Sequence, residues 1–160
     1  MAIKTSHYLR DAVRRDKGIV ELFANGVLDI YQGTQPTSAF TSSNAAGATL
    51  LARITRNSGA FTPGSPTNGI NLYAGIYNVA YVEKDYGENW SGLCVATGTA
   101  GWFRLKGNAY DGPDTYGNTV PRIDGSIGIT GQDLNFPTGV DFVTGATIVI
   151  PGFLLNFTWP

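Results

Sequence analysis

At 160 residues the chain suffices for one domain that buries roughly two-thirds of its unfolded surface, whereas two domains would each be marginal. Charged residues make up 14 %, below the usual ~25 %, and the net charge of −1 argues against the clustered cations that sequence-independent nucleic-acid binding requires. A single cysteine, Cys94, excludes an intrachain disulfide, and no apolar run nears the ~20 residues of a membrane-spanning helix.

The first element in chain order is a helix. Ser6 is placed to accept from the free amides of its first turn, and Leu9, Ala12, Val13, Ile19, Val20 and Phe23 form an apolar stripe at helical spacing. Gly18 interrupts the stripe at a cost of about 1 kcal/mol relative to Ala and is the point at which the one helix could break into two pieces. Asn25-Gly26 supplies a left-handed stop. Residues 1–26 therefore read as an N-terminal helical segment and 27–160 as a β-domain, together one folded unit. Lys4, Arg10, Arg14, Arg15 and Lys17 are five of the eleven basic residues and all precede Gly18. They could form a basic arm for an acidic partner surface, or simply a solvated helix face with Asp11 and Arg15 at i,i+4.

From residue 27 onward the pattern is strand and turn. Residues 27–31 alternate, with Leu28 and Ile30 on one face and Asp29 on the other; residues 49–56 do the same, with Leu50, Ala52 and Ile54 inward and Arg53 outward. Residues 73–82 form one long β-branched and aromatic run. Residues 93–96 and 102–106 flank a glycine-containing loop of hairpin length at 97–101. In the last strand Ile148 and Ile150 put even positions inward, whereas Phe153, Leu155, Phe157 and Trp159 put odd positions inward. A β-bulge at Pro151-Gly152 would account for that switch. The 21 glycines and 8 prolines fall mainly between the strand candidates, which favours an all-β antiparallel sandwich or jelly roll carrying one N-terminal helix.

Three motifs carry a resemblance: Leu28-Asp-Ile-Tyr-Gln-Gly-Thr-Gln-Pro36, Trp102-Phe-Arg-Leu105, and Asp124-Gly-Ser-Ile-Gly-Ile-Thr-Gly-Gln-Asp-Leu-Asn135. Over residues 20–160 the chain resembles a family of small β-rich structural proteins of tailed bacteriophages. The resemblance implies a virion protein assembled in the host cytoplasm, forming homo-oligomers and contacting a major capsid protein or neck and tail proteins. Neither a cofactor nor a metal is expected, and neither nucleic acid nor membrane is an expected partner. The opening Met-Ala-Ile-Lys-Thr-Ser-His, which lacks the apolar stretch of a secretion signal, agrees with that compartment.

Catalytic constellations are sparse in the sequence. His7 is the only histidine, so a Ser/His/Asp triad would need it to fold back on the sheet, and one His with one Cys cannot build the usual zinc site. Asp111, Asp114 and Asn118 share a loop whose oxygens could hold Ca²⁺, although Asp/Asn/Gly clusters are also ordinary turn formers. Trp90, Trp102, Tyr73, Tyr77, Tyr81, Tyr110 and Tyr116 could form a sugar-stacking platform, the competing reading of the chain as a carbohydrate-binding receptor-recognition module. Aromatics serve protein interfaces equally well.

The expectation taken forward is a non-enzymatic structural protein, most simply a capsid decoration protein, with a neck, collar or tail-associated protein as the alternative. Its interface residues would be Trp102, Arg104 and Lys106, opposite Phe103 and Leu105 on their strand, together with Trp90, Tyr110, Arg10, Arg14 and Arg15. The Trp102 face is expected to be exposed in the isolated chain and covered in the assembled particle.

Overall fold

The computed structural model describes residues 3–15, 17–42, 47–74, 81–109 and 120–156, with Arg14 and Asn156 described by their backbone alone. The chain opens with strand β1 (Lys4–Thr5) and helix α1 (His7–Arg14). Ser6 caps α1: its hydroxyl accepts from the backbone N–H of Leu9 at 3.2 Å. The same hydroxyl accepts from the N–H of Arg122 at 3.1 Å, so one side chain ties the helix start to the sheet. The N-terminal helical segment is broken in two, as its glycine suggests: Gly18 caps a second short helix, α2 (Ile19–Leu22). Asn25 takes the left-handed conformation (φ 53°) as the chain leaves α2 for the sheet. Leu9 and Phe23 join the hydrophobic core, so the helical segment folds as part of the β-domain.

The remaining elements are β2 (Val27–Gln32), β3 (Thr49–Arg56), β4 (Leu72–Ala74), β5 (Tyr81–Lys84), β6 (Trp90–Leu93), β7 (Gly98–Thr99), β8 (Trp102–Lys106), β9 (Arg122–Gly128), β10 (Leu134–Asn135), β11 (Asp141–Phe142), β12 (Thr147–Val149) and β13 (Leu154–Asn156). The fold is all-β, as expected. The main sheet runs β1-β9-β8-β2-β3-β6-β12 with antiparallel neighbours, and β10 pairs parallel to β9. A second sheet, β13-β5-β4, covers its apolar face, and β7 pairs with β11. The layers meet through Phe153, whose ring lies 5.8 Å from Trp90 and 5.4 Å, edge-on, from Phe103. Phe103 in turn lies across Gly125, where any Cβ would run into the ring, so that position on β9 has room only for glycine.

Four expectations about the strands need correction. The run over 73–82 is not one strand: β4 and β5 pair antiparallel, with Leu72 opposite Lys84 and Ala74 opposite Val82. Residues 97–101 do not close a hairpin, because β6 pairs with β3 and β12 while β8 pairs with β2 and β9. In β3 the pairing shifts between Ile30–Ala52 and Tyr31–Leu50, which leaves Leu51 as the extra residue. Leu51, rather than Leu50, is consequently in the core.

The last strand carries no bulge at Pro151-Gly152. There the chain changes sheets, from β12 against β6 to β13 against β5. Ile150, Phe153 and Leu155 are all buried, so the switch of inward parity was legible, but its cause is a crossing between layers. Phe157 and Trp159 lie outside the described residues.

Candidate functional site

The second face of the main sheet, opposite the apolar core, is built from paired charges. Register places Lys4 opposite Asp124, Asp124 opposite Arg104, Arg104 opposite Asp29, and Asp29 opposite Arg53. One row thus crosses β1, β9, β8, β2 and β3 with alternating sign. Arg104 grips Asp124 with two hydrogen bonds, from Nε to Oδ1 and from Nη2 to Oδ2, both 2.7 Å. Arg53 grips Asp29 in the same way at 2.7 and 2.9 Å, and Lys106 Nζ reaches Asp29 Oδ2 at 2.9 Å. Paired guanidinium–carboxylate geometry of this kind is directional as well as strong.

An aromatic stack adjoins the row. Tyr31 and Trp102 lie 4.4 Å apart and nearly parallel (14°), and the Arg104 guanidinium sits 5.4 Å from the Trp102 ring. The segment after β2 closes against this face: Lys4 Nζ donates to the Pro36 carbonyl (2.6 Å) and Arg122 Nη1 to that of Phe40 (3.5 Å). Trp102, Arg104 and Lys106 are therefore 0 %, 2 % and 7 % exposed in the single chain. The expectation that they form an open interface in the isolated protein is corrected. Alternation identified the two faces of β8 but could not show that both are covered.

Burial and pairing act on the two carboxylates in opposite balance. Burial alone would raise Asp29, but the charge of Lys106 and the hydrogen bonds and charge of Arg53 outweigh it and hold the carboxyl at about 2. For Asp124 burial prevails over Arg104, Arg122 and Lys4, and its carboxyl is pushed above the usual range. A lowered folded-state pKa means that Asp29 contributes stability above the unfolded value near 4 and loses it as the pH falls toward 2. Asp124 has the opposite sign: its contribution is full below the unfolded value and declines as pH rises through the folded one. The stability gap between the native chain and Asp29→Asn isolates the first effect. In urea titrations that gap should be constant above pH 5 and narrow by about 2 kcal/mol between roughly pH 4 and 2. A gap independent of pH would contradict the pairing of Asp29.

The third motif is a strand–turn unit. The Asp133 carboxylate accepts from the Ser126 N–H (2.8 Å) and hydroxyl (2.7 Å). Gly131 takes a left-handed turn (φ 71°), and Asn135 bonds both backbone groups of Gln132 at 3.0 Å. Its start, Asp124-Gly125, contributes to the charge row and to the seat of Phe103.

The other candidates are scattered. Trp90 is fully buried rather than at an interface, its indole N–H donating to Glu88 at 3.0 Å, because Glu88 also accepts from the backbone and side chain of Asn71 and so knots β6 to the start of β4. With Trp90 and Trp102 both interior, neither serves a sugar-stacking surface, while Tyr73 is partly exposed on β4. A groove of ≈ 500 Å³ passes Tyr86, Gln132, Asp133, Asn135 and Leu154, but its Asp133 and Asn135 are engaged within the strand–turn unit. Arg10 on α1 and Arg15, which caps its C-terminal end, are exposed. The side chain of Arg14 and all of Tyr77, Tyr110, Asp111, Asp114, Tyr116 and Asn118 lie outside the described residues. His7 stacks on Phe40 at 5.3 Å, and burial pushes the Cys94 thiol up. Among the described residues no group of three or more His, Cys, Asp or Glu is placed to hold a metal ion.

Sequence reasoning missed the opposite end of the sheet. Ala52 pairs with Cys94 and Thr55 with Ser91, which carries the charged row onward from Arg53 to Leu93; Leu93 pairs with Thr147 of β12. There the face turns apolar and opens to solvent, with Leu93 54 %, Val95 61 % and Val149 49 % exposed. The available signal was the absence of charge over residues 92–100 and 143–153. Comparison with models of known families, with curated proteins and with solved structures finds no match.

Proposed function

We propose that this chain is a non-enzymatic structural protein of a tailed-bacteriophage virion, with capsid decoration as the leading role and a neck, collar or tail-associated position as the alternative. The observation that supports the reading is where its three resembling motifs fall. Asp29 and Tyr31 from the first, Trp102 and Arg104 from the second, and Asp124 from the third meet in one stack across β2, β8 and β9. The chain's most distinctive residues are thus committed to a part of the scaffold that is covered on both faces, and contact with partners falls to its edges, loops and basic helix. Individually weak contacts suit such a part, because repetition on a symmetric particle multiplies them through avidity.

Quantitative mass spectrometry of purified particles tests the proposal. Hundreds of copies per particle are expected for decoration, and a single ring's worth for a neck or tail position. Absence from the particle would overturn the proposal.

A further inference from the structure

We propose that the outer edge of β12 pairs antiparallel with the same edge of a second copy, about a two-fold axis at Ile148, joining the two main sheets into one. This deepens the assembly role proposed above and rests on that role for its purpose, though not for its geometry.

The strand ladder fixes which backbone groups are available. Cys94 N–H donates to the Ala146 carbonyl and Ile150 N–H to the Trp90 carbonyl, both within 2.9 Å, and Ile148 pairs with Gly92 between them. In an antiparallel ladder alternate residues point their backbone groups to opposite sides. Ala146, Ile148 and Ile150 therefore serve β6, while Thr147 and Val149 present N–H and C=O outward, where no described strand pairs with them. A two-fold axis at Ile148 brings Thr147 of each copy opposite Val149 of the other. Each residue then finds both a donor and an acceptor, so the edge complements itself without a shift in register.

Side chains and charge favour the same occupant. Residues 143–153 and 92–100 contain no charged side chain. These strands would bring no like charges together in a pair of copies and offer no counter-charge to an acidic or basic partner; Asp141, in the groove beside β12, accepts from the Thr99 hydroxyl at 2.6 Å. Leu93, Val95 and Val149 would continue across the axis as one apolar strip. The two ends of the sheet differ in this respect. β1 is two residues long and carries Lys4, devices that guard an edge strand, and β12 carries neither a charge nor a proline within it.

The test is sedimentation velocity on the full chain over a micromolar to millimolar series, with hydrogen exchange at both ends of the series. The native chain should pass from monomer to dimer, and the amides of Thr147 and Val149 should gain protection only when concentrated. Val149→Pro removes an outward N–H that β6 does not use, and should weaken dimerisation roughly tenfold or more. Val149→Lys places a charge at the axis on an exposed position and should do the same with the thermal melt unchanged. A native chain that stays monomeric throughout, or a dimer unaffected by both substitutions, overturns the pairing, whatever other partner the edge takes. A dimer formed by a chain that is absent from particles would sink the virion role and leave the edge pairing intact.

Discussion

Asp29→Ala is expected to destabilise the protein by about 3–5 kcal/mol, because it removes the carboxylate at the centre of a buried charge cluster and takes this counter-charge from its cations. Asp29 is fully buried and holds Arg53 at 2.7 and 2.9 Å and Lys106 at 2.9 Å. Without it, the ammonium of Lys106, itself 8 % exposed in its side chain, loses this counter-charge in a place that water scarcely reaches. Arg53 is different: its side chain is 41 % exposed, so Arg53→Ala strands no buried cation and should cost less, about 1–3 kcal/mol, for the two hydrogen bonds that the buried Asp29 loses. Urea denaturation of the two variants separates these values. Equal and small losses would show that the row is solvated and contributes little. The row need not make the fold more stable than an apolar sheet would be, since buried pairs often only offset their own desolvation. The row opposes a slip in strand register, because a shift of β2 by one residue would turn Asp29 away from its cations and onto the apolar face.

Trp102→Ala should likewise cost about 3–5 kcal/mol and affect the isolated chain, not only its assembly. The ring is wholly buried, stacked on Tyr31 at 4.4 Å and capped by Arg104 at 5.4 Å, so truncation leaves a cavity beside a buried ion pair. Its indole nitrogen has no hydrogen-bond partner among the described residues. Trp102→Phe, which keeps an aromatic face and forfeits no bond to the described residues, should therefore lose less, about 1–2 kcal/mol. Denaturant midpoints of the purified variants provide the measurement. A Trp102→Ala chain as stable as the native one, yet unable to assemble, would return this face to the surface.

These two residues show what the sequence makes legible. Alternation over residues 27–31 and 49–56 located β2 and β3, because a period of two is a local property of the chain. The capping hydroxyl of Ser6, the break at Gly18 and the left-handed turn at Asn25 were local in the same sense. Trp102, Arg104 and Lys106 were assigned outward because cations on one side of a strand ordinarily meet water. Their counter-ions, Asp124 and Asp29, belong to other strands, and only register brings them together. The segment closing over them, around Pro36 and Phe40, has no periodicity to announce its position. Pro151-Gly152 was misread for a related reason. A change of inward parity has the same local signature whether the strand bulges or leaves its sheet, and only its partners, β6 before and β5 after, tell the two apart. The open edge at β12 was hidden because Leu93 and Val149 look like core residues until the sheet is seen to end beside them.

The role proposed for the protein is that of a virion part whose sheet face around Trp102 and Arg104 is interior and whose contacts lie at its edges. A cryo-electron reconstruction of purified particles at side-chain resolution tests it most directly. Density for the sandwich is expected on the particle, with Trp102 and Arg104 enclosed within each copy and the β12 edges of neighbouring copies in contact. Particles without that density, or copies that meet their partners through an uncovered Trp102 face, would contradict it.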